Sequence, residues 1–191
     1  MKKLKVSINN EKSIDEAIRK LEKYKEELRT KTEAFMSELA DAGIQILDAY
    51  VGRISPIYRT GGLDAGGDDL STSKGAIREE GGKWICEIFL NGSQSVFVEF
   101  GSGVTHNTSV GGSLHPKGGE LGFTIGSYPG QTHADDPNGW YYRSKWSNED
   151  KYGKKGKSVV HTYGTPTFAP LYNTSQDLID VIYEVAKRTY G

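Results

Sequence analysis

The stretch Val96-Phe97-Val98-Glu99-Phe100-Gly101-Ser102-Gly103 is an apolar segment that carries one carboxylate and ends abruptly in Gly-Ser-Gly. A chain that stops this sharply needs a backbone that turns without Cβ clashes, which glycine permits cheaply. The segment therefore predicts a fixed corner, with Gly101 at a backbone position of positive φ. Glu99 has no acid partner within reach of any motif. It is expected to be a structural carboxylate that caps nearby amides or meets a basic side chain, rather than a general base. Ser102 lacks the Gly-x-Ser-x-Gly elbow of a serine nucleophile and reads as a turn residue.

Upstream of the corner, Leu70–Glu79 and Lys83–Asn91 are strand candidates joined by Glu80-Gly81-Gly82, a plausible hairpin. The second has apolar residues on both faces, which suggests a central strand, and Val96–Phe100 continues the same sheet. Cys86 sits in the apolar run Trp84–Leu90 and reads as a buried, inert thiol. As the single cysteine it forms no disulfide within the chain.

Further upstream, Leu4, Val6 and Ile8 alternate with polar residues as in a short strand. Ser13-Ile14-Asp15-Glu16 is a capping box that opens a helix. Ile14, Leu21, Leu28, Phe35, Ala42 and Ala49 then recur every seventh residue, and Ile18, Leu39 and Ile46 fill the intermediate row that Lys25 and Thr32 interrupt. One long helix is expected over 13–52, with Gly52 as terminator and Pro56 preventing continuation. At about 55 Å it is too long to bury its whole stripe on one small sheet, so part of the stripe is expected to meet a neighbouring subunit.

Downstream, residues 101–158 show neither helical nor strand periodicity, are rich in Gly, Ser, Asn and aromatics, and read as a long loop or arm. Trp140, Tyr141, Tyr142 and Trp146 lie within it. Large aromatics in a polar loop either form an interface or fold back over their own sheet, and both readings stand. A last strand and a C-terminal helix occupy 159–191, the helix carrying Leu178, Ile182 and Val185 with Ile179 and Ala186 beside them. The whole is expected to be a single α+β domain: a long N-terminal helix and a C-terminal helix packed on a mainly antiparallel β-sheet spanning 68–100, with a long Gly/aromatic-rich loop.

Composition narrows the function. The 191 residues include 24 basic and 25 acidic side chains, a formal net charge of -1, so there is no global positive field to hold a phosphate backbone tightly. No stretch approaches the roughly 20 apolar residues of a membrane span, and the Met1–Ile8 segment is too short for a signal-peptide core. Lys154-Lys155-Gly156-Lys157-Ser158 ends like a phosphate-binding loop but has Lys151 where the first glycine belongs and precedes a strand. With Arg143 and Lys145 it reads as a solvated hairpin tip or a tongue facing a DNA-conducting lumen. His106, His115, His133 and His161, with Asp135 and Asp136, lie in or beside the loop without any close ligand spacing. Asp135-Asp136-Pro137-Asn138-Gly139 reads as a turn.

The corner segment, followed by Pro166-Thr167-Phe168-Ala169-Pro170-Leu171-Tyr172-Asn173-Thr174 and a closing helix, resembles the tail-completion (neck, or head-to-tail joining) proteins of long-tailed bacteriophages. Gly139-Trp140-Tyr141-Tyr142 and His161-Thr162-Tyr163-Gly164-Thr165-Pro166 resemble the longer members from phages of low-GC Gram-positive hosts. The resemblance implies a non-enzymatic virion component at the head-tail junction or tail end, assembled in the host cytoplasm as a homo-oligomer, by family a hexameric ring. Its partners would be a head-completion or connector protein and a tail terminator or tail tube, with DNA touching the lumen only non-specifically and with no cofactor, metal or membrane. The positions matching the family motifs, carried over as assembly determinants, are Glu99, Phe100, Gly101, Gly103, Trp140, Pro166 and Phe168. From outside that class, a metal-dependent hydrolase or nuclease using the loop histidines and Asp135, or a host-surface-binding module on the aromatic loop, are the alternatives.

Overall fold

The computed structural model describes residues 10–60, 70–92, 94–102, 115–123, 136–143, 159–162 and 164–191. At 55–60, 140, 142, 143, 159, 160 and 162 the description is of the backbone alone. The expected strand at Leu4–Ile8 lies outside these residues, as do Gly103, His106, His133, Asp135, Trp146 and the 154–157 basic run.

The chain is an α+β protein with long N- and C-terminal helices and small antiparallel sheets. The first helix, α1, spans Glu11–Thr60. It starts two residues before the Ser13 box, because the Asn10 carbonyl already accepts from the Ser13 and Ile14 amides. It also runs through Gly52 and Pro56, where the sequence predicted its end. Pro56 removes one backbone donor, and the buried face runs past Gly52 as far as Ile54: Ala40, Leu47 and Ile54 are spaced seven apart and deeply buried. Ile54 packs with Val98, Leu70, Leu90 and Phe168, and such tertiary burial outweighs local helix-breaking signals.

The expected sheet is a long, irregular hairpin. Strands β1 (Ser71–Lys74) and β4 (Ile88–Asn91) pair, and so do β2 (Arg78–Glu80) and β3 (Lys83–Ile85). Gly81 and Gly82 both have positive φ, 58° and 76°, the backbone of the two-residue turn that matches strand twist. Lys74 faces Ile88 while Arg78 faces Ile85, so one extra residue lies on the first arm and the register shifts there like a bulge. Arg78 spans the interruption, donating to Glu80 at 2.7 Å and Glu87 at 2.9 Å, and its guanidinium holds the Glu87 carboxyl below the usual range. Among the described residues β4 has only β1 beside it, so Lys83–Asn91 is not a central strand. Cys86 is half-buried rather than buried, its thiol on the Gly75 carbonyl.

Segment Val96–Phe100, expected as another strand, belongs to the short helix α2 (Ser95–Phe100). Four apolar or aromatic residues around one carboxylate suit either state, and a short run cannot be assigned by periodicity. Inside the expected loop, Trp140–Arg143 forms strand β5, paired antiparallel with β6 (Val159–Thr162).

The C-terminal helix α3 (Pro170–Tyr190) runs antiparallel along the second half of α1. Tyr190 meets Phe35 and Thr32, Arg188 meets Glu38, and Asp177 meets Tyr50. Gly43 lies where α1, α3 and the hairpin converge: a Cβ there would collide with Ile88 and come within 3.2 Å of Leu178. Lys74 and Thr72 of β1 contact Asp41 and Asp48 on the hairpin side of α1. The buried surface of α1 is thus wider than the predicted narrow stripe, and Ala49 of that stripe is exposed. On α3 the burial is centred on Pro170, Thr174 and Val185, whereas Ile179 and Ile182, expected on the inner face, are exposed.

Tyr50 donates to the Asp177 carboxylate at 2.8 Å. That bond first, then desolvation and the charge of Asp177, raises the phenol above its ordinary value of 10.0. A raised folded value means the contribution is fully present below the unfolded value and is lost as pH rises through the folded one. Tyr50→Phe is therefore expected to lower stability by about 1 kcal/mol at neutral pH. Urea titrations of the two proteins at increasing alkaline pH should converge once the wild-type phenol ionises.

Among the described residues no helix is long and apolar enough to cross a membrane.

Candidate functional site

The motif residues meet at one corner where α2, the 164–169 segment and the start of α3 cross. Helix α3 begins with a local deficit. Its N-cap residue is Ala169, in the left-handed conformation (φ 49°, ψ 48°), and offers no side-chain acceptor, while Pro170 at the first helical position has no N–H. The next two amides, Leu171 and Tyr172, need acceptors. Glu99, 5% exposed and far away in sequence, provides them: Oε2 accepts from Leu171 N–H at 2.8 Å and Oε1 from Tyr172 N–H at 3.0 Å. A carboxylate at a helix N-terminus also meets the positive end of the helix dipole.

The same Oε1 faces His115 Nε2 at 2.9 Å. His115 Nδ1 accepts from the Lys117 N–H at 3.0 Å, so the proton is on Nε2 and points at Glu99. Both ring nitrogens and both carboxylate oxygens are engaged, and both side chains are almost fully buried. This is the capping and basic-partner role expected of Glu99.

Phe100 stacks on Phe123 (centroids 3.9 Å, 13° between planes) and tilts against His115 at 4.6 Å. The edge of His115 also meets Tyr172 at 5.5 Å. These contacts clamp the 115–123 segment, itself closed by Gly118 N–H on the His115 carbonyl and Phe123 N–H on the Gly118 carbonyl, against the corner.

Gly101 follows with φ 77° and ψ 169°, its N–H on the Phe97 carbonyl at 2.8 Å. The positive φ is as expected, but with extended ψ rather than a left-handed helical value, a region almost confined to glycine. It redirects the chain so that Ser102 and Thr165 exchange both backbone hydrogen bonds, 2.7 and 3.0 Å, with Ser102 Oγ also accepting from Thr165 N–H. Thr167 Oγ1 donates to the Phe100 carbonyl and Phe168 N–H to the Val98 carbonyl. Ser102, expected as a turn residue, is a buried member of this two-way pairing with Thr165.

Glu99, Phe100, Gly101 and Phe168 therefore come together, and Pro166 lies in the crossing segment between Thr165 and Thr167. Tyr141 belongs instead to the β5–β6 ladder, where it is 71% exposed with its ring 4.6 Å from His161. Trp140 and Tyr142 are backbone members of that ladder. His161 bonds the Asn138 carbonyl, and Asp136 accepts from Asn138 and Gly139 in the turn predicted there. Among the described residues no three His, Cys, Asp or Glu side chains gather as a metal site. Above Glu99 and His115 lies an open cleft of about 420 Å³, walled by Leu90, Val96, Phe100, Leu121 and Tyr172.

Sequence reasoning grouped His115 with the loop histidines and did not single out Phe123. One signal was available for the Glu99 role: Ala169-Pro170 opens a helix without a local capping side chain, and Glu99 is the single acid of the apolar segment. Nothing in the spacing marks His115 as its partner. Comparison of the chain with protein-family models, with curated proteins and with solved structures returns no match.

Proposed function

We propose that this chain is a non-enzymatic structural protein of a phage or prophage virion, of the tail-completion or head-to-tail joining type, acting by oligomeric assembly. One observation carries the reading. Two segments more than sixty residues apart, which sequence resemblance links to one family, are fastened to each other through Glu99, Phe100, Gly101 and Phe168. Their buried groups are spent on holding α2, the crossing segment and α3 in one geometry, as befits a joint rather than a reaction centre. Large apolar side chains remain exposed elsewhere: Ile14, Ile18, Leu21, Tyr24 and Leu28 on α1, and Ile179, Ile182 and Tyr183 on α3. Single-chain surfaces of this kind fit contacts with other subunits.

In this reading a ring of subunits binds a connector or head-completion protein on one side and a tail terminator or tail tube on the other. DNA passes through its lumen with only non-specific contact. Size exclusion coupled to light scattering, with the protein alone and then with purified tails or connectors, tests it. A ring, or a chain incorporated when tails or connectors are added, is the expected result. A chain that remains apart from both overturns the proposal.

A further inference from the structure

Helix α3 ends at Tyr190, whose hydroxyl donates to Thr32 of α1. From there back to Glu11, α1 extends past α3 and the hairpin, and Ile14, Ile18, Leu21, Tyr24 and Leu28 are 38–60% exposed on it. Among the described residues no other element covers this row, a helix of about 20 residues is marginal in water by itself, and this one carries large apolar side chains that a solvated helix does not need.

The charges in and beside the apolar row match those of a second copy run in the opposite direction. On the outer surface, Glu16 and Lys20, and Lys23 and Glu27, form pairs one turn apart within the helix. Asp15, Glu22, Lys25 and Arg29, which lie in or beside the apolar row, have no ion pair among the described residues. The row itself reads Ile14, Ile18, Leu21, Lys25, Leu28, Thr32, a 4-3 alternation interrupted by one lysine.

From this pattern we infer that the projecting half of α1 pairs antiparallel with the same segment of a second copy of this chain. Reversing one helix about a point between Leu21 and Lys25 sets Ile18 against Leu28, Leu21 against Lys25 and Ile14 against Thr32. Each Lys25 then lies beside Glu22 of the second copy, and each Asp15 beside Arg29 of the second copy. A parallel pair in register would instead place the two Lys25 ammonium groups opposite each other in the seam, which like-charge repulsion and desolvation oppose. The overlap also has the right length. It ends at Thr32, where Tyr190 takes over the cover of α1 within each chain.

The pairing has two-fold symmetry, so it makes dimers and cannot by itself close a ring. It does not rest on the virion reading: tail incorporation and self-pairing are separate measurements, and either can fail without the other.

Sedimentation equilibrium of the full-length protein, with circular dichroism as a check of fold, tests the inference. The wild type is expected to be dimeric. Leu21→Asp, at an exposed position, is expected to weaken dimerisation by about 100-fold while retaining the helical spectrum, because it puts an unpaired charge in the seam. Glu22→Lys and Lys25→Glu should each weaken it by about 10-fold, and the double exchange should restore it, because the pair then meets with signs reversed. A wild type that stays monomeric to its solubility limit overturns the inference. So does an oligomer indifferent to Leu21→Asp, or a double exchange no better than its single variants.

Discussion

Glu99→Ala is expected to lower the melting temperature by about 6–12 °C, corresponding to about 3 kcal/mol in a chain of this size. The substitution removes one side chain but strands three donors: the Leu171 and Tyr172 amides and the Nε2 proton of His115. Loss of a helix cap alone costs about 0.5–2 kcal/mol, and each buried donor without an acceptor adds about 1–3 kcal/mol before water enters. The cleft above the site lets water reach part of it, which holds the total toward the lower end. Glu99→Gln should fall between wild type and Ala. Its oxygen can serve the Tyr172 amide and His115, whereas its NH₂ then faces the Leu171 N–H and loses that bond. Thermal unfolding followed by circular dichroism distinguishes the three proteins. Equal melting temperatures for Ala and wild type would remove Glu99 from the stabilising role assigned to it.

Gly101→Val is expected to abolish soluble expression or assembly. The backbone at φ 77°, ψ 169° is open to glycine and strains an L side chain by about 1–3 kcal/mol, with a β-branched residue at the upper end. The strain does not stay local. Moving φ out of this region swings Ser102 away from Thr165 and unfastens the segment that carries Thr167 and Phe168 across α2. Gly101→Ala is the graded control: a smaller loss of stability and a folded protein in which the Ser102–Thr165 amides exchange faster with deuterium. A fully stable Val variant that assembles normally would show that the turn tolerates a side chain and is not the determinant of the corner.

The fold was legible where patterns are long. The repeat from Ile14 to Ala49 marked α1 as one helix, and Glu80-Gly81-Gly82 marked the hairpin, because a 3.6-residue period and a two-glycine turn are local properties of the chain. It was less legible where two local signals disagreed. Gly52 and Pro56 pointed to a helix end, yet Ile54 is held against Val98, a residue nearly a quarter of the chain closer to the C-terminus, and no local window of sequence contains both. Val96–Phe100, five of the six residues of α2, were read as a strand for the same reason. Their helical state is tied to Glu99 reaching α3 and to Gly101 redirecting the chain, both of which are long-range facts.

Sequence alone thus determined the class, two long helices with a small antiparallel component, together with the corner glycine and the structural nature of Glu99. Only the tertiary structure decided which donors Glu99 satisfies, that His115 and Phe123 complete the corner, and which half of the α1 stripe remains uncovered. The physical reason is the range of the interactions involved. Periodicity, turn chemistry and capping act over a few residues and are written in the chain, whereas a helix N-terminus capped from another element exists only after the chain has folded back on itself.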